Sequence, residues 1–382
     1  MADNAEVIII GAGLIGLSIA YHLASKGISN VVVIEKESLW GHGSSGRSAG
    51  GIRLEFSHPS AVKFSQYGLE MFRHFEELFG ISASFNPCGY LFLTRDPGKW
   101  NVMQNLSFMQ QSLGVPVTCL SPQEVSYRFP YVQIPDLVGA TFCPDDGVAD
   151  PGAVLYGFAK RAMDLGVTIR LGEQVTGILV HHDQIAGVKT SKGMISGRVV
   201  VNAAGPYARS VGHMVGVEIP VHPYRRNIYV TTPFMKLPQN MPMTLDLETT
   251  SYLRRDGDSI LLGMSDPDEP SSYHTETDHQ ALEKLIETLL HWVPILADAS
   301  ILRGWAGLYE VSPDDTAIIG EVEGISGFYC ANGFSGHGFM HSPAAGRVIA
   351  ELITGEEPFV DLKPFLLKRF TDNQPTTETF VI

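Results

Sequence analysis

The chain has 382 residues, 44% of them hydrophobic, and a formal net charge of −14. That length suits two or three domains without low-complexity stretches, and the negative balance argues against nucleic acid or an anionic membrane as partner. The four cysteines, Cys88, Cys119, Cys143 and Cys330, form no C-x-x-C pair and fit no zinc signature.

The acidic Met-Ala-Asp-Asn-Ala-Glu start lacks the basic beginning of a signal peptide. The nearby apolar run is broken by glycines and a lysine, so no transmembrane helix is expected, and a cytoplasmic protein with reduced thiols is. Residues 6–35 read as β-α-β. Val7 to Ile10 and Val31 to Ile34 are short, continuous apolar strands of the buried parallel type. Between them Ile15, Ile19 and Leu23 share one helix face, and Gly27 marks the stop. Residues 60–79 read as one helix with Phe72, Phe75 and Phe79 in the core and Gly80 after its end. Residues 89–94 and 113–121 mix strand and loop. Ser121-Pro-Gln-Glu124 is a capping box with proline at N1. A helix over 150–166 follows, then a strand pair at 167–170 and 174–179, and a buried strand at 199–202. Residues 222–266 alternate as strands, 277–293 return to helix, and a last helix starts at Ser342-Pro343 and ends at Gly355. The pattern predicts an α/β (α+β) chain: a Rossmann-type dinucleotide-binding domain (1–85, 140–220 and 300–382) with an inserted antiparallel-sheet substrate domain (86–139 and 221–299).

Gly11-x-Gly13-x-x-Gly16 follows a buried strand and opens a helix, and Glu35 ends the next strand. This is a dinucleotide fingerprint in its proper context, and a plain glycine turn is the weaker reading. Gly11 permits the tight turn, Gly13 admits pyrophosphate to the backbone, and Gly16 lets helix and strand pack closely. The helix N-terminus presents N–H groups and positive dipole to the phosphates, and Glu35 accepts the ribose hydroxyls. The fingerprint alone leaves NAD and FAD open. Gly41, Gly43 and Gly46 match the same pattern, yet no buried strand precedes them and no acid follows at the required distance. They belong to a loop of small residues carrying Arg47 and Arg53, read either as part of the same ligand's cradle or as a solvent-exposed glycine loop.

Four segments in order resemble the D-amino-acid oxidase/glycine oxidase/sarcosine oxidase superfamily of FAD enzymes. They are Gly11-x-Gly13-x-x-Gly16 with Glu35, then Gly43-Ser-Ser-Gly-Arg-Ser-Ala-Gly-Gly51, Val200-Val-Asn-Ala-Ala-Gly205 and Gly333-Phe-Ser-Gly-His-Gly-Phe339. Asp146-Gly-Val-Ala-Asp-Pro151 and Trp305-Ala-Gly-Leu-Tyr-Glu-Val-Ser-Pro-Asp314 narrow it to the β subunits of multimeric sarcosine oxidases and of L-proline dehydrogenases. The resemblance implies extended FAD. The backbone of Leu14 and Ile15 joins the pyrophosphate site, with Lys36 beside Glu35. Ser44, Ser45 and Arg47 flank pyrophosphate and ribitol. Gly50 and Gly51 lie against the isoalloxazine, Val175 meets adenine, and Ala203, Ala204 and Gly205 pass close by. Gly333, Ser335, Gly336, His337, Gly338, Phe339 and Met340 cover the pyrimidine side, where a helix start would stabilise negative charge.

Departures from the family narrow the reading. Asp150-Pro151 stands where multimeric sarcosine oxidases carry the histidine for covalent FMN, and Gly307 replaces the cysteine that tethers FAD in monomeric ones. Non-covalent FAD is therefore expected. Met340 replaces the lysine that holds substrate carboxylate in the monomeric enzymes. Its loss removes positive charge near the flavin and favours an acceptor other than oxygen. Arg53 and Arg254 remain as carboxylate partners, although Arg254 equally reads as a solvated strand residue. Tyr252 and His337 read as pocket groups or as structural ones, as do Tyr309 and Glu310. No nucleophile–base pair and no metal constellation is visible. The function implied is oxidation of a secondary amine or amino acid (sarcosine, proline, glycine class) to an imine, with partner subunits of a hetero-oligomer. The alternatives are a 2-hydroxy acid or glycerol-3-phosphate dehydrogenase and an electron-transfer subunit.

Overall fold

The fingerprint at the start of the chain folds as its spacing demands. In the computed structural model, which describes residues 3–379, strand Val7–Ile10, helix Leu14–Ser25 and strand Val31–Ile34 form the β-α-β unit. The first two and last three residues, assigned above to the dinucleotide-binding domain, lie outside the described residues. Both strands join a six-stranded sheet in the order Ile318–Glu321, Phe328–Asn332, Val199–Asn202, Val7–Ile10, Val31–Ile34, Thr168–Arg170. Only the first pair is antiparallel.

Alternate residues of these apolar strands face two layers, as a sheet buried on both sides requires. Val7, Ile9, Val31, Val33 and Val201 pack under helices Leu14–Ser25, Pro151–Asp164 and Gly338–Thr354. Ile8, Ile10, Val32, Ile34 and Val200 pack under a four-stranded sheet that includes Val175–His181, Gln184–Thr190 and Gly193–Ser196. The strands read above as a pair, near 167–170 and 174–179, thus lie in different sheets. Val175–His181 turns back on Gln184–Thr190 instead.

The remaining strands build an eight-stranded sheet in the order Ile301–Val311, His222–Thr231, Ser259–Met264, Ser251–Asp256, Met243–Asp246, Tyr90–Thr94, Gly139–Cys143, Thr118–Leu120. One face packs Leu91, Leu93, Leu253 and Leu262 against Leu285, Leu289 and Trp292 of helix His279–Trp292. The other face, with Tyr90, Phe92, Ile228, Met243, Leu245 and Tyr252, turns toward the glycine-rich loop. Strand Gly139–Cys143, all but its first residue, and strand Ile301–Val311 are grouped above with the dinucleotide-binding domain. They hydrogen-bond in this sheet, because each finds a long antiparallel partner there.

Three helical expectations shift. The helix over 60–79 is interrupted at His74 into Pro59–Arg73 and Phe75–Phe79, with Phe75 and Phe79 stacked at 4.2 Å in the core. Helix Pro97–Ser112 was not foreseen, because only Met103, Ser107 and Gln110 are buried and make no apolar stripe. Its signal was the cap: Asp96 accepts the Lys99 N–H at 2.9 Å, with proline next. The last helix starts at Gly338, not at Ser342-Pro343. Pro343 lies inside it and cannot donate to the Phe339 carbonyl, and the Ser342 hydroxyl donates there instead at 2.9 Å.

The C-terminal segment is tied down by a buried ion pair. Arg369 donates through Nε and Nη2 to the two oxygens of Asp314, each at 2.8 Å, with both side chains 2% exposed. Removing one partner leaves the other charge buried. Arg369→Ala should therefore lower unfolding free energy by about 3–5 kcal/mol in urea titrations. A loss below about 1 kcal/mol would mean that water reaches Asp314 freely.

Candidate functional site

A continuous cleft runs between the two large sheets. Its first chamber is lined by Gly11, Gly13, Ile15, Glu35, Lys36, Ser44, Ser45, Arg47, Val175, Ala203, Ala204 and Gly205. The second is lined by Leu14, Gly51, Arg53, Tyr90, Arg226, Met243, Tyr252, Gly307, Tyr309, Gly336, His337, Gly338, Phe339 and Met340. Ile15, Ser44, Ser45, Arg47, Leu308 and Glu310 line both.

Backbone geometry shapes the first chamber. Gly11 has φ +110°, and a Cβ there would collide with the Ala203 carbonyl. Gly16 does not line the cleft; a Cβ there would strike the Gly11 carbonyl, so it allows the close helix–strand contact. Glu35 accepts the N–H groups of Ala12 and Glu37, both at 2.9 Å. Ser45 Oγ accepts the N–H of Leu14 at 2.9 Å, which puts the loop hydroxyl at the N-terminus of the first helix. Lys36 reaches Glu37 at 2.7 Å and lies over the Tyr207 ring.

Loop 40–53 crosses from one sheet to the other. The Gly41 N–H donates to Ala12 O at 2.9 Å. Ser44 Oγ donates to Leu308 O and Arg47 Nη1 to Ala306 O, both at 2.6 Å. Trp305 Nε1 donates back to Arg47 O at 3.1 Å. Gly51–Ile52 then pairs with Gly147–Val148. Gly51 lies directly beneath the Tyr90 hydroxyl, with no room for a Cβ. Gly50 does not line the cleft; a side chain there would meet the Ala149 carbonyl. Gly333 and Ser335 are also behind the wall, where Ser335 Oγ accepts the Ser312 N–H at 3.2 Å.

The second chamber sorts the candidate arginines. Arg53 lies 1% exposed between the Phe56 and Phe92 rings and donates to His337 Nε2 at 2.8 Å. His337 therefore accepts at Nε2 and helps to fix the guanidinium. Arg254, expected above as a carboxylate partner, does not line the chamber. Its Nε donates to Ala49 O at 2.9 Å, which holds the loop, and its Nη1 reaches Arg255 O and Asp256 at the end of its own strand. Arg226, which the sequence reading passed over, lines the chamber with Arg47 and Arg53. Strand alternation was the available signal. Arg225 turns to Glu269 and Asp278, whereas Arg226 lies over the Tyr309 ring. Tyr90, Tyr252 and Tyr309 complete the roof. Burial pushes all three phenols above their ordinary values, so each remains a neutral donor.

The first turn of helix Gly338–Thr354 borders the same chamber, its N-terminal dipole directed at it. The family model for FAD dependent oxidoreductases matches residues 6–352. The chain belongs to that family. The L-proline dehydrogenase structure from P. horikoshii is 32% identical, superposes with a TM-score of 0.91, and covers 98% of this chain and 100% of that one. The FAD-dependent oxidoreductase domain-containing protein 1 of Xenopus laevis is 29% identical over 100% of this chain and 85% of its own length. Human mitochondrial dimethylglycine dehydrogenase is 28% identical over 98% of this chain, which spans 46% of that protein. The residues present fit FAD. The bare backbone at Gly11 and Gly51 and the shared lining of both chambers make one trough from Val175 to Met340, with the helix N-terminus at Leu14 on its wall.

Glu35→Ala should weaken FAD binding about 10- to 100-fold, the loss of a hydrogen bond to a charged acceptor, in flavin-fluorescence titrations. Unchanged affinity would remove Glu35 from the ribose site. Glu310 yields a pH effect. Burial raises its carboxyl to about 8, against the N–H of Gly333 donating at 3.1 Å. A folded value above the unfolded one gives stability that is present at low pH and lost as pH rises through about 8. His22 and His341, depressed by burial to about 4 and about 3, are neutral above pH 6.5 and do not offset this. With saturating FAD, the stability lost between pH 6.5 and 8 should shrink in Glu310→Gln; equal losses in urea titrations would contradict the assignment.

Proposed function

We propose that this chain oxidises a secondary amine or amino acid of the sarcosine, proline and glycine class to an imine. When bound, FAD supplies the chemistry by accepting the hydride equivalent from the carbon beside nitrogen. The chain supplies position and charge. Arg53, oriented by His337, holds the carboxylate next to the reacting carbon. The neutral hydroxyls of Tyr90, Tyr252 and Tyr309 donate into the same space. The helix N-terminus at Gly338 favours negative charge where the ring's pyrimidine side would lie.

The observation that carries this reading is the second chamber itself. A buried guanidinium and three protonated phenols converge on bare glycine backbone, continuous with the dinucleotide trough. The full-length likeness to an L-proline dehydrogenase supports it. We assign dinucleotide binding to the six-stranded unit and substrate binding to the eight-stranded sheet, including its strands at 139–143 and 301–311. Work with partner subunits is part of the proposal and rests on the resemblance to β subunits. A reducing compartment such as the cytoplasm is also part of it, supported by four free thiols.

Anaerobic mixing of the flavin-loaded chain with sarcosine, N-methylated amino acids or proline should bleach the flavin absorbance. Arg53→Lys should slow bleaching at least about 100-fold while FAD stays bound, because a point charge replaces a planar fork. Bleaching by hydroxy acids and by no amine would replace this reading.

A further inference from the structure

Arg226 lines the chamber in addition to Arg53 and Arg47, and it is not used by the reading above. Its side chain stands over the Tyr309 ring at 5.3 Å and the Tyr224 ring at 5.8 Å. Its Nη1 donates to Arg225 O at 3.0 Å, while its Nε is sealed from solvent and makes no hydrogen bond. No carboxylate among the described residues lies within ion-pair distance. Three acids lie within electrostatic reach: Glu269 is held at both oxygens by Arg225, at 2.9 and 3.1 Å, Asp266 is held by Lys284 at 2.7 Å, and Asp315 makes no ion pair with Arg226. Partial burial drives the Arg226 guanidinium below the usual arginine range, with no carboxylate at ion-pair distance to offset it.

A desolvated guanidinium facing a cavity is costly until an anion reaches it. The cofactor's phosphates do not serve, because the pyrophosphate trough is the first chamber and Arg226 lines only the second. Nor is it one site with Arg53. Arg53 rises from the glycine loop between Phe56 and Phe92, whereas Arg226 descends from the sheet opposite Gly307. Tyr309 lies within electrostatic reach of both. A substrate whose one acid group lies at Arg53 leaves Arg226 uncompensated; a second acid group on the same molecule supplies the anion at Arg226.

We propose that Arg226 binds a second, distal acid group, so that the preferred substrate is a secondary amine carrying two carboxylates. This rests on the amine-oxidation reading, with Arg53 on the carboxylate nearest the reacting carbon. The distal carboxylate meets the planar guanidinium of an arginine that lines the chamber without an ion-pair partner, the chemistry that suits a carboxylate.

Two measurements test it on the flavin-loaded chain. In anaerobic bleaching, N-methylaspartate or N-methylglutamate should exceed N-methylalanine and sarcosine about 100-fold in kcat/KM. Arg226→Ala should erase that preference by lowering the diacid values about 100-fold, the effect of truncating one partner of a buried charge pair, with monoacid values changed less than about threefold. In titrations followed by the flavin spectrum, glutarate should bind the native chain and lose affinity in Arg226→Ala, with acetate binding unchanged. Arg226→Lys should recover part of the glutarate affinity; recovery by Arg226→Met would instead mark a packing role and overturn the proposal. Equal use of mono- and diacids, or an equal fall for both in Arg226→Ala, would overturn it too. If no amine bleaches the flavin, the parent reading fails, and the glutarate titration still decides what Arg226 binds.

Discussion

The structure depends on how loop 40–53 and the edge strand Ile301–Val311 satisfy each other's backbone. An edge strand carries a row of open carbonyl and N–H groups, and a loop of small residues carries more. Here Arg47 and Ser44 donate to the carbonyls of Ala306 and Leu308, Trp305 donates to the Arg47 carbonyl, and Arg254 to that of Ala49. These bonds fasten the six-stranded unit to the eight-stranded sheet. They also set Gly41, Gly43 and Gly51 along the cleft, and at Gly41 and Gly51 a side chain has no room. One set of interactions thus closes the molecule and leaves the floor of the cleft as bare backbone.

Charge is distributed along the cleft in the same economical way. A chain with a net charge of −14 frames two of its cleft-lining guanidiniums with aromatic rings. Arg53 lies between Phe56 and Phe92, and Arg226 over Tyr309. Such framing lowers the local dielectric and strengthens each cation's attraction for an incoming acid. The tyrosines are held protonated by the same burial, so they donate and do not repel. The positive end of helix Gly338–Thr354 adds a fixed partial charge without a side chain.

Local features were legible in the sequence. The strand–glycine–helix fingerprint, Glu35 and the small-residue loop are set by neighbours in the chain, and Arg53 follows from its place in that loop. Features set by remote partners were not. The choice between Arg226 and Arg254 turns on which side chain finds the Ala49 carbonyl, a contact across more than two hundred residues. The helix at 97–112 hides because its buried face is small and partly polar. The start at Gly338 hides because a proline inside a helix mimics one at its first turn, and here Ser342 repairs the missing bond. The strands at 139–143 and 301–311 take their sheet from partners far along the chain.

If loop 40–53 cradles the ligand gripped at Gly11 to Gly16, the two glycine matches serve one molecule. Titrating flavin-free chain with FAD and counting cofactor per chain tests this most directly. The account predicts one FAD per chain, released intact when the protein is denatured, since Gly307 offers no thiol for a tether. Two FAD per chain, or flavin that stays on the denatured polypeptide, would contradict it.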